Sequence, residues 1–585
     1  MSFGFGFGIT ATGKAGFSPA FSPASLFASG EEGVWYDPSD FSTMYQYSDG
    51  RSTDPVTAVE QPVGLILDKS QGLTLGSEVA PSLSSYQTVL TGTWAASGSD
   101  YAFTDTVGGQ SRPGAQWPTV SLTAGWYRLT IVVSSITGAS QIRVDGVGAS
   151  DLLIGVGTHT FTVNVTTTSR PRFRIEDLST SINDGFALSS VSVKALPGNH
   201  ASQSTSAARP VLRARYNLLT YSEQFDNAAW TAKTGLLAFG SGSTANAITA
   251  PDGTTTADLI TMDSSTGAHN LRQDLGTSST GNSTASVFLK YKDWQYVGLQ
   301  GPDSNNSVIV DLVNGTVVSS GSSTSNATMT AVGNGWYRLS FSMPQARYYI
   351  LGFNGNTTSY QNSFTGDGSS GFYAWGAQLI ITNSLTSNAY QRIAAATDYV
   401  TTSTMGGATF LPYLDFDGSD DALATASIDF SATDEMSVFA GVTKLSDANA
   451  GVVVTLADTT TTDGSFILYD MNGAYYYLRS RGTAPSNAQT STSYPAPGNY
   501  AVTGLMDISN DSNALRVDGA DDGTAATDQG TGNYRNGALT IGNLGAGGAP
   551  WQGSIYSLIV RNKTSTVDEI DDTEAYVAGK TGITL

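Results

Sequence analysis

The chain contains no cysteine, which excludes disulfides and cysteine-ligated zinc. Histidine is scarce. His159, His200 and His269 are widely spaced, which leaves little room for a histidine metal site or a histidine-based triad. Asp, Glu, Lys and Arg make up 13% of the residues, about half of the ~25% of an ordinary globular chain. The charge that is present is mostly acidic, with 28 basic residues against 49 acidic ones and a net charge of −21. A duplex- or single-strand-binding protein needs a basic footprint to neutralise phosphates, so no nucleic-acid partner is expected. No run approaches 18 apolar residues, so no membrane insertion is expected. The opening "MSFGFGFGITATGKAGFSPAFSPASLFASG" lacks the basic start and continuous apolar core of a Sec signal. A chain acting outside the cell would then leave it by another route, such as lysis. No nucleophile elbow, zinc motif or phosphate-binding loop is visible.

What is abundant is Gly, Ser and Thr, interrupted by short runs of Val, Ile, Tyr and Phe. That pattern favours many short strands joined by polar turns. A length of 585 residues is too great for one core, so three or more domains are expected. The fold class is therefore all-β, in several domains, with an extended N-terminal arm and a short C-terminal helix. The helix is read over 566–582 ("TVDEIDDTEAYVAGKTG"), with acids early, Lys580 late and Gly582 as its stop. "ALRVDG" (514–519) and "QIRVDG" (141–146) both read as hairpins turning on Asp-Gly. In the arm, Phe3, Phe5 and Phe7 alternate with glycine. Such a segment has no core of its own and is expected to order on a partner surface.

Two long β-rich stretches interrupt a third. "WYDPSD" (35–40), "PVTAVEQPVGLILDKS" (55–70), "GNHASQSTSAARPVL" (198–212) and "YLDFDGSDDAL" (413–423) resemble the opening of laminin-G/concanavalin-like lectin domains of tailed-phage virion proteins. In those proteins the pieces commonly run nearly together, through a "DKSGNGNHA" join. Here the join is split between Ser70 and Gly198. "NLLTYSEQFDNAAWT" (217–231) and "SNAYQRIAAATDYV" (387–400) resemble the entry and exit of a carbohydrate-binding-module-like jelly roll of the same proteins. The organisation read from this is a virion-anchoring arm (1–33), the first part of a discontinuous lectin-like domain (34–70) and an inserted sandwich (71–197). A lectin-like linker and strand (198–216), a second inserted sandwich (217–400) and the main part of the lectin-like domain (401–585) follow. Loop tips are where such insertions are tolerated.

The resemblance implies several β-sandwich domains of jelly-roll or concanavalin-like type, in a phage virion structural protein (a tail fibre, spike or capsid decoration) at the virion surface. It would be held by other virion proteins through the arm and would bind host-surface glycans without catalysis. A homo-oligomer such as a trimer fits a fibre, although no heptads support a coiled coil. The alternatives are a purely structural subunit and, behind it, a polysaccharide depolymerase.

The inserts share "GWYRL", at 125–129 and at 335–339, each followed by a closing strand, "GFALSSVSVKAL" (185–196) and "GFYAWGAQLII" (371–381). The expectation is two copies of one sandwich with the pentapeptide on corresponding strands. Alternation sends Tyr127, Leu129, Tyr337 and Leu339 to the core, and Trp126, Arg128, Trp336 and Arg338 to the opposite face. An outward Trp beside Arg is either a sugar platform or a structural plug. Identical retention in both modules favours the plug. The candidate ligand contacts are Trp126, Arg128, Trp336, Arg338, Trp375, Tyr475, Tyr477 and Trp551, with Trp294 and Tyr296 as further aromatics. No cofactor is expected beyond a structural calcium, for which Asp415, Asp417, Asp420 and Asp421 are the candidates. Asp184 and Asp367, each just before a closing strand, are weaker ones. The competing reading is a polar turn on Asp417-Gly418.

Overall fold

The computed structural model describes residues 21–118, 122–148, 151–214, 217–275, 283–344, 348–355, 359–381, 390–393, 411–457, 459–471, 474–496, 498–545, 548–583 and 585. Phe3, Phe5 and Phe7 lie outside the described residues. The protein is all-β, built of paired antiparallel sheets with one C-terminal helix, Val567–Thr581. Among the described residues, no helix is long and apolar enough to cross a membrane.

Two nine-stranded sheets form a base module. Their strands come from three separate parts of the chain. Gly33–Tyr36 pairs with Gln552–Arg561, and Val211–Arg213 lies between Gln61–Pro62 and Tyr413–Asp417. In the other sheet, Ala201–Ser202 lies between Leu65–Ile66 and Leu423–Asp429. One core joins them, with Val34, Ile66, Ala201, Leu212, Leu414 and Val560 all fully or nearly fully buried.

The chain leaves this module after Ser70 and returns at Gly198, and the two ends meet. The buried Asp68 carboxylate accepts from the N–H groups of Trp35 (2.8 Å), Ser70 (2.8 Å) and Asn199 (2.7 Å) and from the Ser70 hydroxyl (2.7 Å). The Asp68 N–H donates to His200 Nδ1 at 3.0 Å. His200 is therefore neutral with its proton on Nε2, and burial pushes its pKa down to about 3. Gly198 has φ +109, and a Cβ there would press on Asp68.

The terminal helix opens with a capping box, Thr566 to Glu569 and back, and stops at Gly582 in the left-handed region. Ile570 and Val577 pack on Phe439, Ala501 and Ile559 of the base. At Gly441 a Cβ would collide with Thr581 Oγ1, so glycine permits the close approach. Leu26 and Phe27 share that cluster, so the end of the segment read as an arm is folded onto the base.

The first insert is a sandwich of two five-stranded sheets, the second of two six-stranded sheets. Every strand of the first has a counterpart in the second, in the same chain order and sheet position. In one sheet, Gly157–Val165, Gly125–Thr137, Gly185–Ala195, Asp100–Thr104 and Thr93–Ser97 match Trp336–Met343, Ser283–Tyr291, Gly371–Ile381, Ala257–Thr261 and Thr244–Ile248. The second insert adds Thr316–Ser320 and Ser325–Gly333, one to each sheet. The closing strands correspond, but the two "GWYRL" strands do not. The strand Gly125–Thr137 corresponds to Ser283–Tyr291, and Trp336–Met343 corresponds to Gly157–Val165. The pentapeptide occupies neighbouring slots because its alternation fits any strand of that sheet: Leu129, Ile131, Leu339 and Phe341 all reach the core.

The two Asp-Gly hairpins also differ. Asp518 and Gly519, both at positive φ, join Ser512–Val517 to Ala520–Ala525 directly. Asp145 instead ends a strand whose partner starts at Leu152.

Candidate functional site

The indoles read as possible platforms are mostly enclosed. Trp126 is 6% exposed and packs on Tyr45, Leu65, Leu67 and Leu196, with the His200 ring centroid 5.1 Å away. Arg128 donates to the Tyr45 hydroxyl at 3.0 Å and lies over that ring. This pair therefore seats the first insert on the base, helped by backbone bonds from Ser52 to Thr160 and from Thr162 to Asp49.

Trp336 and Trp375 are each 1% exposed, in a cluster with Phe288, Tyr390, Ala250 and Ala257 on the outer side of their sheet. The Trp336 indole N–H donates to Thr249 O and that of Trp375 to Thr256 Oγ1. Arg338 lies over the Phe288 ring and donates to Ser286 Oγ. Trp551, also 1% exposed, is part of the base core. As candidate ligand contacts, Trp126, Trp336, Trp375 and Trp551 are corrected: the first three leave their own core only to be covered by other chain segments or modules, the plug arrangement for Trp126 and Trp336, and Trp551 lies within the base core. Trp294 is half-buried and stacks on Phe364 at 5.6 Å. Beside Trp336 lies a depression of about 540 Å³ lined by Ile248, Thr249, Lys290, Asn334 and Tyr373.

Tyr475 and Tyr477 are placed differently. On Tyr475–Arg481 the odd-numbered residues face outward, while Tyr476 and Leu478 are fully buried. Tyr477 pairs across strands with Tyr469 on one side and Gln489 on the other. The two rings lie 5.5 Å apart at 31°. One step along, Arg479 sits between Ile467 and Asn487. Asn487 and Gln489 are exposed and the aromatic residues half-buried. Strand spacing of about 4.8 Å makes the row Tyr469–Tyr477–Gln489 roughly 10 Å long, the span of one or two sugar rings. Flat apolar rings flanked by amide and guanidinium donors suit a pyranose, whose ring faces are apolar and whose rim is hydroxylated.

Tyr469, Arg479, Asn487 and Gln489 escaped the sequence reading. Asn472-Gly473 signals a hairpin, but a two-residue loop would pair Tyr469 with Tyr476. In fact Met471 pairs with Tyr475, and Ala474 has φ +66. That one-residue difference in register puts Tyr469 beside Tyr477 on the outer face.

The acidic cluster combines a turn with converging carboxylates. Gly418 has φ +77 and the Ser419 N–H donates to Asp417 Oδ1. Asp417, Asp420 and Asp421 each have a carboxylate oxygen within 4.8 Å of the others, whereas Asp415 is paired with Arg213 at 2.7 Å. Asp184 and Asp367 cap backbone N–H groups of Ser181 and of Ser369 and Ser370. Burial raises Asp421 from 3.8 to about 7, with the neighbouring acids adding to the push. It raises Asp258 from 3.8 to about 7 and Asp415 from 3.8 to about 6 against the pull of Arg213. Stability from such raised carboxyls is fully present below 3.8 and lost as pH rises through about 6–7. Glu176 and Asp367, lowered to about 2 by Arg143 and by Ser370 respectively, contribute stability that is lost only below about pH 4. The thermal midpoint is therefore expected to rise by about 3 °C or more from pH 8 to pH 5.5 and to fall again below pH 4. A midpoint that drops steadily from pH 8 to pH 5.5 contradicts this.

No family model and no curated protein matches the chain. Solved structures with a similar fold include the CBM40 of the Ruminococcus gnavus IT-sialidase bound to α2,3-sialyllactose. It is 15% identical over 28% of this chain and 95% of that one, with a TM-score of 0.23. The heptameric SAP-like pentraxin of Limulus polyphemus is 15% identical over 28% and 80%, with a TM-score of 0.23. The binding domain of botulinum neurotoxin serotype D is 12% identical over 29% and 43%, with a TM-score of 0.24. Likeness of this extent says nothing of what this chain binds; what the chain's own geometry establishes is an all-β assembly of sandwich modules whose base carries the half-buried tyrosine pair on an outer face.

Proposed function

We propose that this protein is a non-catalytic, glycan-binding surface protein whose base module holds sugar on the face formed by Tyr469, Tyr477, Arg479, Asn487 and Gln489. The observation that carries the reading is the cross-strand Tyr469–Tyr477 pair: two half-buried rings side by side on a solvent-facing sheet, rimmed by hydrogen-bonding side chains. Binding is by stacking and hydrogen bonds, without bond cleavage. The resemblance of 34–70, 198–212 and 413–423 to tailed-phage lectin-like domains supports placing the protein on a virion. There it would be anchored through residues 1–33, and several copies would raise weak single-site affinity through effective concentration.

A glycan array probed with the full chain tests the binding reading. The double variant Tyr469→Ala/Tyr477→Ala is expected to lower affinity for the responding glycan about tenfold with the fold intact, because such rings are the contacts that dominate interfaces. Absence of any response, or an undiminished one in the double variant, rejects this face. Release of reducing ends from a bound polysaccharide rejects the non-catalytic reading. Normal particle incorporation of a chain lacking residues 2–30 rejects the anchor.

A further inference from the structure

One sheet of the first insert turns toward the base through Trp126. The outer side of its other sheet collects cations. Ile142, Val144, Phe173 and Ile175 fill the core, so Arg143, Asp145, Arg172 and Arg174 project outward between them. With Arg112 and Arg170 at the margin, five arginines lie on this face, in a chain with 28 basic and 49 acidic residues.

The carboxylates act as shared anchors. Asp145, 4% exposed, accepts from both Arg172 and Arg174. Glu176 accepts from both Arg112 (3.0 Å) and Arg143 (2.6 Å). Each acid thus holds two guanidiniums, and Arg143 pairs with Asp151 as well, so three carboxylates face the five arginines and the face stays net positive. Arg172 gives Asp145 its Nε alone, and its side chain is 44% exposed. Its two terminal nitrogens engage nothing among the described residues. Gln116 is its cross-strand neighbour, and Gln87 follows on the next strand.

We infer that this face is a receptor for a polysaccharide bearing carboxylates, a site separate from the tyrosine face of the base. A guanidinium already oriented by a buried carboxylate loses little freedom on binding, and its planar fork matches a planar carboxylate in two parallel hydrogen bonds. Gln116 supplies a neutral donor and acceptor for sugar hydroxyls, and Gln87, whose Oε1 accepts from Arg170 at 2.7 Å, supplies a donor. The overall charge of −21 opposes densely charged partners such as nucleic acid, whereas a carboxylated sugar chain is more sparsely charged and needs only a local receptor.

The test is calorimetry of the full chain with polygalacturonate, its methyl-esterified form and duplex DNA, at about 0.15 M ionic strength. Polygalacturonate is expected to bind, and its ester to bind about tenfold more weakly or not at all, because esterification removes the charge the fork needs. Arg172→Gln/Arg174→Gln is expected to lower polygalacturonate affinity at least as much. Arg172→Lys keeps a charge against Asp145 and loses the fork, so it is expected to show most of the loss even if the double variant folds poorly. Tyr469→Ala/Tyr477→Ala is expected to leave this binding unchanged, so the two faces fail independently. Absence of polygalacturonate binding, equal binding of the ester or of DNA, or full affinity in Arg172→Lys overturns the inference.

Discussion

Asp68→Ala is expected to destabilise the base module by about 3–5 kcal/mol, because it leaves several buried donors without an acceptor. Asp68 receives four hydrogen bonds from three places: Trp35 on the first strand, Ser70 at the exit into the first insert, and Asn199 at the return. Water cannot replace the carboxylate at a site with no exposure. Asp68→Asn keeps one acceptor oxygen and sets an NH₂ against donors on the other side, so a smaller loss is expected. Denaturant unfolding gives the magnitude. Amide exchange adds a local signature, with the N–H groups of Trp35, Ser70 and Asn199 becoming the fast ones. Wild-type stability and protection in Asp68→Ala would show that the junction is held elsewhere.

Trp336→Ala is expected to destabilise the second insert by about 3–5 kcal/mol, as a buried indole leaves both its transfer energy and a cavity behind. The cluster of Phe288, Trp375 and Tyr390 loses a member, and Thr249 O loses its donor. Trp126→Ala changes the same residue of the same pentapeptide, with a different expected outcome. Its contacts are with Tyr45, Leu65, Leu67 and Leu196, so the first insert stays folded on its own core while its seat on the base loosens. Faster limited proteolysis between residues 70 and 77 or near 197, with an unchanged transition for the insert, is the expected reading. Equal global destabilisation by both variants would contradict the distinct environments of the two indoles.

Much of the fold was legible because strand alternation is local. Period two separates Tyr475 and Tyr477 from Tyr476, and sends Leu129 and Leu339 inward, whatever the rest of the chain does. The helix was legible for a similar reason, since Thr566, Glu569 and Gly582 act within its own turns. The tyrosine face was only half legible: Tyr477 could be placed on a face, but its partner Tyr469 depended on whether the hairpin loop holds two residues or three. The arginine face was not legible at all. Its strands, Ile142–Asp145 and Arg172–Ile175, are neighbours only after the sandwich has formed.

By itself, then, the sequence determined the class of fold, the parity of strands such as Tyr475–Arg481 and the sites of interruption, all properties of residues close along the chain. Tertiary structure alone decided what covers each outward face. Trp126 meets the base, Trp336 joins a covered cluster that includes Trp375 and Tyr390, and Tyr477 meets solvent. Alternation says only that a side chain leaves its own core. Whether it then stays accessible to a ligand is set by segments far away in sequence, and their docking leaves no local mark on the strand itself.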